Sequence, residues 1–378
     1  MTRRQSKPEA PRILLTRLRL IGDVAFTTPI LRALRRRFPD AHIAYLVEPS
    51  AAPVVARNPH INELLVIPKR SGVARLRDDV AMAQRLRREH FDVALDLHGG
   101  PRAALLAWAS HAPMRIGYSI AGRSWMYTHV VGRSPDLAPR HSVLNQADLL
   151  RPLGIDGCDP VHEPMEMAPD GVAGARVGTR LAEAGIGADD PMVVMHVSAG
   201  NPFRRWPPEA FAATAAALAL QDSRLRVILI SGPSDHAAAA AIAKDARGIA
   251  GPAGVRILED DYDLTELREL VARAAVYIGG DSGPLHIAAT TGTPIVALLG
   301  PTLPERSRPW RDPRWFTEMV DVGSLPCRPC DQRRCAPGDF RCLTGITAEQ
   351  VVAATLRALH HRRAQQRVDV SAMTGTRT

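Results

Sequence analysis

Short apolar runs alternate along this chain with longer segments that are apolar on one side only. Residues 12–18 form an apolar strand, the turn Ile21-Gly22-Asp23 follows, and a helix is predicted from about 27 to 38. Further strands are predicted at 42–47, 64–67 and 91–97, with helices at 75–89 and 101–109. Strand and helix in succession call for a parallel sheet covered by helices. A Pro-, Gly- and Asp-rich stretch over 155–170 breaks the periodicity and reads as a connection between domains. The alternation then restarts, with helix 171–185, strand 192–197, helix 208–220, strand 225–230, helix 234–247, helix 264–274, strand 276–278, a helix from Pro284 and strand 295–299. Residues 300–344 read as loop, and 348–363 as a last helix.

The implied fold class is α/β, with two Rossmann-like domains facing each other across a cleft. The expected boundaries are a disordered basic tail at 1–11, an N-terminal domain at 12–165, a C-terminal domain at 166–346, a C-terminal helix at 347–366 and a disordered tail at 367–378. A length of 378 residues that is 46% apolar supplies two buried cores. No run approaches the ~20 apolar residues of a membrane span, and no apolar stretch follows the basic N-terminus as in a signal peptide, so a cytoplasmic protein is expected. The 48 Lys and Arg against 39 Asp and Glu leave a net charge of +9, which favours anionic partners. Few aromatic residues interleave with the basic ones and no zinc-finger or RNA-binding signature occurs, so nucleic acid is not among them.

Ligands of such sheets bind beyond the carboxyl ends of the strands, and four segments there carry candidate chemistry. In Tyr277-Ile278-Gly279-Gly280-Asp281-Ser282-Gly283-Pro284-Leu285-His286, the glycines let backbone approach a ligand and the helix start offers N–H groups to a phosphate. The same pattern fits an ordinary strand-to-helix turn capped by Ser282 or Gly283. Asp23 is either a general base or a helix cap. Arg204 and Arg205, in the segment that begins His196-Val197-Ser198, either neutralise a diphosphate or stand as a solvated pair. Asp235, after Ser231-Gly232-Pro233, suits ribose hydroxyls or, with Ser234, a helix cap.

Cys327, Cys330, Cys335 and Cys342 make a C-x2-C-x4-C-x6-C cluster, which fits either a structural zinc ion or reduced thiols. The D-x-D run at 260–263 precedes a helix and reads as capping by Asp263 rather than metal binding. Arg32, Arg35, Arg36 and Arg37 form a basic face on the first long helix, suited to an anionic lipid surface or simply solvated.

Together, Arg17 through Pro29, Arg204-Arg205-Trp206-Pro207, Ser231-Gly232-Pro233 and Gly280 through Ala289 resemble the ADP-heptose:lipopolysaccharide heptosyltransferases, glycosyltransferase family 9, over residues 12 to 355. The resemblance implies a glycosyltransferase B fold, an acceptor-binding N-terminal domain and a C-terminal domain for ADP-heptose or a similar nucleotide sugar. It makes Asp23 the base that deprotonates the acceptor, with Gly22, Thr27 and Thr28 on the acceptor side. It assigns Ser198, Arg204, Arg205, Asp235, Asp281, Ser282, Gly283 and His286 to the donor. Arg204 stands where the family usually carries lysine, and Asp235 where it usually carries glutamate. The implied reaction is inverting, requires no cofactor and acts on an anionic glycolipid, with peripheral contact at the cytoplasmic face of the inner membrane. The Arg19-Leu20-Ile21 variant is nearer to relatives acting on later core heptoses. The competing readings are the same mechanism with another nucleotide sugar, and a non-catalytic nucleotide- or polyanion-binding module.

Overall fold

The computed structural model describes residues 10–135 and 138–374, with side chains described to residue 364. The chain divides into two compact units, the first ending at Ala168 and the second beginning at Pro169, three residues past the expected boundary. Of the expected basic tail only Ala10 and Pro11 lie within the described residues.

The first unit carries strands β1 (Arg12–Thr16), β2 (His42–Val47), β3 (Glu63–Val66), β4 (Val93–Asp96), β5 (Met114–Tyr118) and β6 (His129–Val131). Its helices are α1 (Ile21–Ala25), α2 (Thr28–Arg37), α3 (Ala52–Val55), α4 (Gly72–Arg88), α5 (Pro101–Ala109) and α6 (Ser142–Ala147). The strands pair in parallel in the order β3-β2-β1-β4-β5-β6. β1 lies in the middle, and Ile13, Leu14 and Leu15 are fully buried because helices cover both faces of such a sheet.

The second unit repeats the plan with β7 (Met192–His196), β8 (Arg226–Ile230), β9 (Ile257–Asp260), β10 (Val276–Gly280), β11 (Ile295–Leu298) and β12 (Thr317–Val320). Helices α7 (Gly171–Glu183), α8 (Pro208–Gln221), α9 (His236–Ala250), α10 (Leu264–Arg273), α11 (Gly283–Ala288), α12 (Pro304–Ser307), α13 (Arg341–Thr344) and α14 (Ala348–Thr374) accompany them. This sheet is also parallel, in the order β12-β11-β10-β7-β8-β9. α14 seats Val351, Ala354 and Ala358 in the core of this unit. Its backbone is helical to Thr374.

Four strands escaped the hydrophobic pattern. β6, β9 and β12 are edge strands of three or four residues with half-exposed side chains, and Arg115 and Gly117 dilute the apolar run of β5. The stretch 300–344 is accordingly not all loop, since it contains α12, β12 and α13.

Candidate active site

Each sheet reverses its strand order once, and such a switch point opens a crevice at the carboxyl ends of the two strands involved. In the second sheet it falls between β7 and β10. The segment after β10 and the segment after β7 meet there. Two glycines there leave little room for a Cβ, Gly279 against its own strand and Gly280 against the segment after β7. A Cβ on Gly279 would stand 2.6 Å from the Tyr277 hydroxyl, and one on Gly280 would stand 3.3 Å from the Arg204 carbonyl oxygen.

Asp281 follows directly, 3% exposed. Its carboxylate accepts a short hydrogen bond from the Ser307 hydroxyl, lies 3.0 Å from Nη1 of Arg204 and faces His286 Nε2 at 3.5 Å. Arg204 Nη1 also donates to the Asp281 carbonyl at 3.1 Å. Burial opposes the charge on Asp281, but the His286 contact, the Arg204 cation and the Ser307 bond outweigh it and hold the carboxyl well below the usual carboxylate range. Ser282 occupies the N-cap position of α11 yet makes no capping bond, and its buried hydroxyl has no partner among the described residues. The routine capping role for Ser282 is therefore not what the fold uses it for.

Other donor-side candidates are already tied to one another. Ser198 Oγ accepts from the Gly232 N–H at 3.0 Å and lies 3.3 Å from His196 Nε2, joining the turns after β7 and β8. Arg205 donates to the Ala199 carbonyl at 2.9 Å and to Asp235 at 3.0 Å. Asp235 precedes α9 without capping it. Asp263 does cap α10, in a reciprocal capping box with Glu266, as its position suggested.

In the first sheet the switch point falls between β1 and β4. Leu20, in the left-handed region at φ 70°, turns the chain into α1, which presents Asp23 in its first turn without a capping bond. Arg17 donates a short bond to the Asp23 carboxylate and a second, of 2.6 Å, to the Leu97 carbonyl at the end of β4. Asp23 is thus an ion-paired carboxylate held beyond the carboxyl end of β1. The end of β4 and the turn after it add Asp96 and His98, which the pattern did not single out although polar residues at the end of a buried strand were the available signal. Burial raises the Asp96 carboxyl against a Tyr127 hydroxyl at 2.6 Å. Burial and the Arg17 and Arg19 charges push His98 down to about 4, so its imidazole is neutral at pH 7.

Thr27 and Thr28 are fully buried, their hydroxyls bonded to the Val24 and Ala25 carbonyls at 2.7 and 2.8 Å, and they fasten α1 to α2 rather than face solvent. Gly22 stays half-exposed beside Asp23. The basic face of α2 is also largely spoken for: Arg32 pairs with Glu166 at 3.0 Å, Arg36 with Glu163, and Arg35 bonds the Pro39, Ala41 and His60 carbonyls.

Cys158, Cys327, Cys330, Cys335 and Cys342 are all free thiols. Among the described residues no group of three or more His, Cys, Asp or Glu side chains is set to hold a metal ion, although Cys342 stands close enough to Cys330, Cys327 and Cys335 for their charges, after burial, to raise its thiol. Among the same residues no helix is long and apolar enough to cross a membrane.

The family profile of Glycosyltransferase family 9 (heptosyltransferase) matches residues 80–338. Lipopolysaccharide heptosyltransferase 3 of Escherichia coli is 29% identical over 349 residues, covering 90% of this chain and 97% of the relative. The glycosyl transferase family 9 structure from Veillonella parvula DSM 2008 superimposes with a TM-score of 0.79 at 23% identity, over 94% of this chain and 99% of that one. The structure of E. coli ADP-heptose lps heptosyltransferase II superimposes with a TM-score of 0.72 at 19% identity, over 93% and 99%. With two Rossmann-like units of this strand order, the chain belongs to glycosyltransferase family 9, the heptosyltransferase family of lipopolysaccharide core synthesis, and is a glycosyltransferase of the B fold.

Proposed function

We propose that the protein transfers heptose from ADP-heptose to a lipopolysaccharide inner-core acceptor that already bears heptose, with inversion at the anomeric carbon. The observation that carries this reading is the buried, ionised Asp281 locked to Arg204 at the switch point of the second sheet. A cation and a carboxylate set side by side there suit a sugar diphosphate, the carboxylate accepting from sugar hydroxyls and the guanidinium facing phosphate oxygens. The 29% identity to a lipopolysaccharide heptosyltransferase 3 supports the sugar, and the likeness to an ADP-heptose heptosyltransferase of E. coli supports the nucleotide.

In this mechanism the acceptor hydroxyl attacks the anomeric carbon from the face opposite the diphosphate. Asp23, oriented by Arg17, takes the hydroxyl proton as the new C–O bond forms. The bond from the anomeric carbon to the diphosphate breaks, and ADP leaves with the electron pair. Arg204, Arg205 and the N–H groups of Ser282 and Gly283 stabilise the charge that develops on it, the kind of preorganised term that dominates many transferases. No step is routed through a metal. The acceptor lipid would bring the reaction to the cytoplasmic face of the inner membrane.

Incubation of the purified protein with ADP-heptose and truncated core lipopolysaccharides tests the reading. Transfer should occur to a heptose-bearing acceptor, and Asp23→Ala should lower kcat by roughly 10²- to 10⁴-fold with ADP affinity retained. Transfer from a different nucleotide sugar only would sink the donor assignment, and undiminished turnover by the variant would sink the base.

A further inference from the structure

Gln332 lies in the cysteine-rich segment that the mechanism leaves unused, and it touches both polar ends of the loop after β7. Its Oε1 accepts from Arg204 Nε at 2.7 Å and from Asn201 Nδ2 at 2.9 Å. Because a guanidinium only donates, the amide must present its oxygen to Arg204. Gln332 holds a left-handed backbone, φ 58°, and is half-buried between exposed neighbours.

The segment is itself anchored. Arg328, its side chain 2% exposed, donates to the carbonyls of Gly323, Leu299 and Thr302 at 2.8, 3.2 and 2.9 Å and pairs with Asp321 at 3.1 Å. A second tie runs from Phe203 to Phe340, whose ring centroids are 5.5 Å apart. The far end of the guanidinium is meanwhile held by Asp281.

We propose that Gln332 is a positioning residue for the donor diphosphate: the cysteine-rich segment acts as a strap that, through this one amide, sets the direction of Arg204. The proposal rests on reading Arg204 as the cation that faces the diphosphate. Nucleotide affinity should therefore depend on Gln332 only while Arg204 is present.

Titration calorimetry with ADP on the full chain tests this with Gln332→Asn and Gln332→Ala. Asparagine keeps the left-handed backbone accessible but withdraws the oxygen by one methylene. Each variant should weaken ADP binding by roughly tenfold, the scale of one charge-assisted hydrogen bond, and leave the acceptor KM unchanged. In an Arg204→Ala background neither should weaken ADP binding further. Equal losses in the two backgrounds, or wild-type affinity in both variants, would overturn the positioning role. Absence of ADP binding by the wild type would instead overturn the donor assignment on which it rests.

Discussion

Replacing Asp281 by Asn isolates the charge at the centre of the second unit with almost no change of shape. The Ser307 hydroxyl can still donate to the remaining Asn carbonyl oxygen, but an amide NH2 now faces the donor-only guanidinium of Arg204, 3.0 Å from the atom it replaces. Removing one partner of a buried ion pair costs about 3–5 kcal/mol, and Arg204, with 31% of its side chain exposed, recovers part of that by turning to water. A net loss of about 2 kcal/mol is expected at pH 7, or roughly 5 °C in the calorimetric transition of a unit of this size. The effect has a definite pH dependence. The folded carboxyl titrates below its ordinary 3.8, so the stabilisation is complete above that pH and disappears as the pH falls through the folded value. The gap between wild type and variant should therefore narrow below about pH 3.8. Scanning calorimetry at pH 7 and pH 3, with ADP titrations at pH 7, checks both sides. A variant as stable as the wild type at pH 7, or a gap that widens in acid, would refute the account of Asp281 as a buried, paired carboxylate.

Gly279→Ala puts a methyl 2.6 Å from the Tyr277 hydroxyl in a fully buried strand, and overpacking of that kind should cost about 1–3 kcal/mol, read as a lower urea midpoint. His196, almost wholly buried, has its imidazole pushed down to about 4 from 6.5 by burial, so the unfolded chain takes up a proton in acid before the folded one does. The wild type should lose about 3 kcal/mol from this group as the pH falls from 6.5 to 4, and His196→Gln should flatten that slope in urea unfolding at a series of pH values.

Much of the architecture was legible along the chain because parallel strands buried on both faces are continuous apolar runs. β1, β2, β7 and β8 fall within a residue or two of where those runs lie. Edge strands such as β6 and β12 were not, since half-exposed residues leave no such run. The candidate site divides the same way. The Gly-Gly-Asp-Ser-Gly-Pro segment and the Arg204-Arg205 pair are local signals, because backbone approach and a helix start require particular residues in sequence order. Ser307, His98 and Gln332 have no local signature. They reach their partners from 26, 81 and 128 residues away in the chain, Asp281, Arg17 and Arg204 respectively. Sequence periodicity determined which segments become strands and helices and which residue types stand at their ends. Only the tertiary structure decided that Thr27 and Thr28 turn inward, that Arg205 pairs with Asp235, and that Asp281 is ionised in a buried site, because those outcomes depend on desolvation and on charges brought together from distant parts of the chain.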